Sequence, residues 1–134
     1  MKSSLIVLLA SCLCLPVAGL DKKKLLPKDI PSLNALAEKG DARAQTELGR
    51  RYFQGDEVEE NFQEAVKWWR KAAEQGGDSA QYNLGWMYSN GKGVEQNAKE
   101  AVKLFRKSAM QGNAEAQHNL GFMYIEGRGV EQDF

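Results

Sequence analysis

Ala80-Gln81-Tyr82-Asn83-Leu84-Gly85 decides the fold, because the same frame stands at Ala44-Gln45-Thr46-Glu47-Leu48-Gly49 and at Ala116-Gln117-His118-Asn119-Leu120-Gly121, at intervals of 36 residues. The stretch from Gly76 to Gln111 is therefore one unit with a copy on either side. Tyr52, Tyr88 and Tyr124 follow in step, as do Gly55, Gly91 and Gly127 and then Val58, Val94 and Val130. A period of this length predicts stacked helix pairs, each burying its apolar face against its neighbours. Such an array is built to hold another molecule, and nothing in the repeat itself says which.

Within each copy, Ala44, Leu48 and Tyr52 and their equivalents fall at i, i+4 and i+8, which places them on one stripe of a first helix. Gly49 interrupts that helix at a cost of about 1 kcal/mol relative to Ala, so small Ala44 and Gly49 predict close approach by a partner helix. Gly55, Gly91 and Gly127 end the first helices, and Val58 and its equivalents plug the following turn. The Gly-x-Gly of these turns follows no strand and precedes no Lys-Ser/Thr, so it is not a phosphate loop. Asn61 with Glu64, and Asn97 with Glu100, resemble capping boxes opening second helices. Ala65, Val66, Trp69 and Ala73 then form one apolar face, matched by Ala101, Val102, Phe105 and Ala109, while Glu64, Lys67, Lys71 and Glu74 point outward. Trp68 and Leu104 flank that face and are expected to pack on the adjacent repeat.

Ala-x-x-x-Leu-Gly-x-x-Tyr-x-x-Gly-x-x-Val, then Glu-Ala-Val and a closing Gln-Gly, resembles the Sel1-like repeat, a relative of the tetratricopeptide repeat. The resemblance runs from Gly40 to Phe134 and implies an all-α fold, a right-handed α-solenoid of about two and a half helix-turn-helix repeats. It also implies a bacterial adaptor, of the kind used in secretion, envelope assembly, signalling or host contact.

Acidic and basic side chains balance at 18 each, so bulk charge gives no reason to expect nucleic acid or an anionic membrane as partner. Met1-Lys2-Ser3-Ser4, the apolar run from Leu5 to Leu15 and the small residues of Pro16-Val17-Ala18-Gly19 read as a secretory signal peptide, cut after Gly19 or Ala18. Both cysteines, Cys12 and Cys14, would leave with it. Alternatively, Leu9-Ala10-Ser11-Cys12 resembles a lipobox, with Cys12 lipidated as an envelope anchor. The expected location is periplasmic or secreted, without a membrane span. The division that follows is a signal peptide at 1–19, a lead-in linker at 20–31 and an N-terminal capping helix at 32–39, capped by Ser32. Repeats follow at 40–75 and 76–111, with an incomplete third at 112–134 that stops where its second helix should begin. The pattern favours truncation at Phe134, since a terminal repeat ordinarily carries a polar cap.

One histidine and no mature cysteine supply too few parts for a metal cluster or a nucleophilic triad, so no cofactor, metal or catalytic residue is expected. Some cysteine-rich Sel1-like proteins are associated with penicillin binding or β-lactamase activity, but the repeated disulfide cysteines are missing here. The candidate partner-binding residues lie beside the core stripe of the first helices: Arg43, Thr46, Arg50, Tyr82, Asn83, Trp86, His118, Asn119 and Phe122. They form two ladders, Thr46-Tyr82-His118 and Arg50-Trp86-Phe122. First helices line the concave surface of related solenoids, and aromatics with Arg are the residue types enriched at binding hot spots. Trp86 and Phe122 could equally pack under the preceding repeat. The expected function is an exported, non-enzymatic scaffold that binds a protein or peptide through its concave face. Alternatives are an envelope immunity or inhibitor protein against a secreted toxin and, from another class, a β-lactamase-like or cell-wall enzyme.

Overall fold

The computed structural model describes residues 25–130. The signal-peptide, lipobox and Phe134 expectations lie outside them. Among the described residues there are six helices and no strand: α1 Ile30–Glu38, α2 Ala42–Gln54, α3 Phe62–Glu74, α4 Asp78–Asn90, α5 Ala98–Met110 and α6 Ala114–Glu126. Extensive contacts join only sequence neighbours, from α1 with α2 to α5 with α6. This is the nearest-neighbour stacking of an all-α solenoid.

Each helix start follows from a short polar side chain or a glycine. Asp41 Oδ1 accepts from the Arg43 and Ala44 amides at 2.9 and 3.1 Å, and Asn113 Oδ1 from the Ala116 amide at 2.9 Å. Gly77 opens α4 without a side-chain cap. Asn61 and Asn97 cap α3 and α5 by accepting from Glu64 and Glu100 amides at 3.1 and 3.2 Å. The reciprocal half of a capping box is replaced, because the Asn61 and Asn97 amides donate instead to Tyr52 and Tyr88 carbonyls, both at 2.9 Å. That bond closes each hairpin. The first helix departs from expectation: Asp29, not Ser32, is its N-cap, accepting from the Ser32 amide at 2.9 Å. Proline is tolerated in a first helical turn, so Pro31 does not delay the start. Nor is the end of the lead-in a solvated linker, since Leu26 and Ile30 pack against Leu33, Ala37, Leu48 and Trp68.

Glycine is required at two turns for reasons of space. Gly93 has φ +68°, and a Cβ there would stand 2.5 Å from the Phe62 carbonyl oxygen, so the turn lies directly on the start of α3. Gly129 meets the Ala98 carbonyl of α5 in the same way. The first turn carries Glu57 at φ 61°, with its carboxylate 3.1 Å from Arg51 Nη1.

The core divides by interface. Leu33 and Ala37 of α1, Ala44 and Leu48 of α2 and Trp68 of α3 form one buried cluster. Ala65, Val66, Trp69 and Ala72 pack with Ala80, Leu84 and Met87 in the next, with Leu104 against it from the following repeat. Ala101, Val102 and Phe105 pack with Ala116 and Met123 in the last. Val94 and Val130 join these clusters as expected of turn plugs. Lys67 and Lys71 lie 5.2 and 4.9 Å from the Trp68 ring centre, covering the outer face of α3 with their charge in solvent.

A carboxamide ladder ties successive repeats together. Gln45 Nε2 donates to the Ala37 carbonyl at 2.9 Å, and Gln75 Nε2 donates to Gln45 Oε1 at 2.8 Å. One repeat later, Gln81 donates to the Ala73 carbonyl and Gln111 Nε2 to Gln81 Oε1 at 2.8 Å. Gln45 and Gln81 are buried, so each needs both partners. Gln81→Met keeps the volume but removes the bonds to the Ala73 carbonyl and from Gln111, whose exposed amide retains the Gly76 carbonyl at 2.9 Å, and is expected to cost about 1 kcal/mol in urea denaturation.

Candidate functional site

Stacking α4 beside α2 leaves a cleft of about 360 Å³ between the two first helices. Arg50, Phe53 and Gln54 line it from α2, Tyr82, Asn83 and Trp86 from α4, and Trp69 of α3 closes the floor. Each trio lies within one turn, so its members share a helix face. The walls are mutually braced aromatics. The Phe53 ring lies 5.5 Å from Trp69 and 5.6 Å from Trp86, the latter edge-on at 89°. Trp69 is fixed further by Nε1 donating to the Thr46 carbonyl at 3.0 Å. Tyr82 rests on Phe105 at 5.8 Å, and its hydroxyl accepts from Asn119 Nδ2 at 3.5 Å. Burial, followed by the Glu115 charge, raises the Tyr82 hydroxyl above its ordinary pKa. The phenol is therefore neutral at physiological pH and open to hydrogen bonding.

Arg50 lines the cleft without offering it a free charge. Its guanidinium donates to Glu47 at 2.9 and 2.6 Å, to Asp56 at 3.0 Å and to Gln54. Glu47 also accepts from Arg51 Nε at 2.9 Å. The hydrogen bond from Arg50, then that from Arg51, holds the Glu47 carboxyl below its ordinary range. A depressed carboxyl contributes stability that is present above its unfolded value of 4.5 and lost as pH falls through the folded one. Glu47→Gln should therefore lower stability at pH 7, by about 1 kcal/mol or less for so exposed a network, and leave it nearly unchanged at pH 2. Thermal melts at the two pH values check this.

The remaining candidates spread over three surfaces. Arg43 and Thr46 line a separate opening of about 310 Å³ with Leu26, Ala42 and Asp78, and the Thr46 hydroxyl donates to the Ala42 carbonyl at 2.8 Å. Arg43 Nη2 stands 3.5 Å from Asp41. Tyr82 and Asn83 extend from the main cleft into a third opening of about 260 Å³ beside Ser79, Asn113 and Glu115. Asn119 joins the first-helix face through Tyr82. His118 and Phe122 are exposed and line neither the cleft nor these openings. The structure thus brings together Arg50, Tyr82, Asn83 and Trp86 of the nine candidates. Trp86 packs on Phe53 of the preceding repeat, as one of its two readings had it, and also lines the cleft.

Phe53, Gln54 and Trp69 were missed. Phe53 occupies a position held by Ser89 and Ile125 in the other copies, so the period carries no signal for it, and Trp69 reads as core alone. Among the described residues no three His, Cys, Asp or Glu side chains gather as a metal site requires, and no helix is long and apolar enough to cross a membrane.

The Sel1 repeat family matches residues 42–77, 78–113 and 114–134. The secretory immunoglobulin A-binding protein EsiB of Escherichia coli O6:H1 is 46% identical over 44 residues, which is 33% of this chain and 9% of that protein. A crystallised protective antigen of uropathogenic Escherichia coli superposes with TM-score 0.76 and 48% identity, over 80% of this chain and 23% of the other. A Sel1 repeat protein from Oxalobacter formigenes gives TM-score 0.69 and 41% identity, over 71% of this chain and 39% of the other. Helicobacter pylori cysteine rich protein B gives 0.64 and 29%, covering 67% and 68%. This chain therefore spans about a tenth of the curated relative and a quarter of the first crystallised one. With a 36-residue period, antiparallel helix pairs and the Sel1 profile coinciding from Ala42 onward, the chain belongs to the Sel1 repeat family.

Proposed function

We propose that this chain is an exported, non-enzymatic scaffold that holds a protein or peptide partner in the cleft between α2 and α4, on the concave side of the stack. One observation carries the reading: Tyr82, Trp86 and Phe53 present aromatic surface to solvent there, beside an Asn83 side-chain amide with no hydrogen-bond partner among the described residues. Preordered aromatics give contact area at low entropy cost, and a free carboxamide can pair with an extended backbone. Because Arg50 is already neutralised by Glu47 and Asp56, the cleft suits an apolar or aromatic side chain rather than an acidic one. Export rests on the leader reading of residues 1–19. The name of the Escherichia coli relative makes secretory immunoglobulin A the first ligand to try.

The test pairs affinity capture from the envelope and secreted fractions, and direct titration of secretory immunoglobulin A, with an Asn83→Ala/Trp86→Ala double variant. Helicity should be unchanged and stability lower by about 2–3 kcal/mol, since half-buried Trp86 loses its edge contact with Phe53 and its packing on the core clusters to either side. Partner affinity should fall about 30-fold or more, as expected when a central aromatic anchor is removed. Retention of the partner at wild-type affinity would place binding elsewhere.

A further inference from the structure

The cleft between α2 and α4 does not stop at α4. Tyr82 and Asn83 line both the cleft and the opening of about 260 Å³ on the other side of that helix, where Asn113 and Glu115 contribute the far wall. The two openings therefore form one surface that crosses α4 at Asn83. Their charges differ. Arg50 gives the cleft no free cation, because Glu47 and Asp56 hold it. Glu115 forms no ion pair among the described residues, and its carboxylate stands beside Tyr82, whose hydroxyl is raised above its ordinary pKa first by burial and then by that charge. Asp78 adds a second carboxylate behind the opening, accepting from Asn113 Nδ2 at 3.2 Å. Arg43 and Ser79 hold the position of Glu115 in repeats that have a described repeat after them, and both are exposed. Solvent access at this position is thus a property of the first-helix face of the stack.

Geometry sets a spacing on that surface. A helix with its side chains is about 10 Å across, and an extended chain rises about 3.3 Å per residue with alternate side chains on one face. A peptide laid across α4 therefore turns residues i and i+2 toward the protein about 7 Å apart, and the long side chain of a lysine or arginine spans the remainder. Its backbone at i+1 passes Asn83, whose carboxamide has no partner among the described residues and can pair with it. We propose that this surface selects an extended peptide with a bulky apolar or aromatic side chain at i, seated in the cleft, and a lysine or arginine at i+2, paired with Glu115. The specificity rests on the cleft between α2 and α4 being the binding site, and adds to it the basic residue. An acidic side chain at i+2 meets the carboxylates of Glu115 and Asp78 instead and is rejected.

The probes are two end-blocked peptides, Gly-Ser-Trp-Ser-Lys-Gly and the same chain with Glu in place of Lys, titrated into the isotope-labelled full chain at about 50 mM salt while amide shifts are followed. Saturable shifts are expected at Asn83, Trp86 and Glu115, with the Lys peptide bound about fivefold tighter than the Glu peptide and the margin falling to about twofold at about 500 mM salt. Glu115→Gln should bring the two peptides to within about twofold at low salt, and Glu115→Lys should invert the preference. Both variants should melt close to wild type, because the side chain is exposed. Equal affinity of the wild type for the two peptides, or an undiminished preference in Glu115→Gln, would overturn the basic-residue assignment while shifts at Asn83 and Trp86 left the cleft in place. No saturable shift at Asn83 and Trp86 from either peptide at millimolar concentration would overturn both.

Discussion

Trp69→Ala is expected to lower the unfolding free energy by about 3–5 kcal/mol, the range for deleting a buried aromatic, and so to remove a large share of the stability of a chain this small. Three losses coincide at this residue. The indole fills the groove over Gly49, packs on Phe53 at 5.5 Å and donates to the Thr46 carbonyl at 3.0 Å. In a solenoid each repeat is held by its neighbours, so a cavity between α2 and α3 also uncouples α1 and α2 from the rest of the stack. Trp69→Phe separates the contributions: most of the volume remains, the hydrogen bond goes, and the expected cost falls to about 1–2 kcal/mol. Urea denaturation of both variants checks this, and a loss below about 1 kcal/mol for Trp69→Ala would contradict the anchoring role.

Gly49→Ala is expected to destabilise the chain by about 2 kcal/mol net, although alanine is the better helix former. Propensity favours the substitution by about 1 kcal/mol, while an added methyl 2.5 Å from two indole atoms forces a helix displacement whose cost is about 3 kcal/mol. Gly85→Ala is milder, because the nearest Phe105 atoms would lie at 2.9 and 3.0 Å and the ring can shift. Gly121→Ala should change sign and stabilise the chain by up to about 1 kcal/mol, since no described residue stands within 4 Å and propensity favours alanine. One substitution at three equivalent positions therefore reads the state of each interface. Equal effects at all three would mean that the glycines serve something other than close packing.

Much of this stack was legible before any coordinates, because its determinants recur. Gly49 with Trp69 and Gly85 with Phe105 repeat at one interval, and residue pairs that recur in register make the same contact when the repeats stack. What failed to repeat was illegible. Asp29 caps α1 at a position held by Ala65 and Ala101, inside the helices of the later copies, so the period carries no signal for it. Phe53 likewise stands alone at its position, yet it braces both Trp69 and Trp86 and thereby shapes the cleft. Arg50 reads as a candidate binding residue, and its ion pair with Asp56 carries no periodic signal, because Lys92 and Arg128 stand at the Asp56 position in the other repeats. Trp69 could be assigned to the core from its helical face, but its second role as cleft floor depends on where the next repeat is placed.

The measurement that bears most directly on the cleft is site-specific photo-crosslinking in the native cells, with the reactive side chain at Asn83 in one protein and at Lys103, on the outer face of α5, in another. A partner held between α2 and α4 predicts a discrete adduct from position 83 and none from position 103. An adduct from position 103 alone would contradict the account.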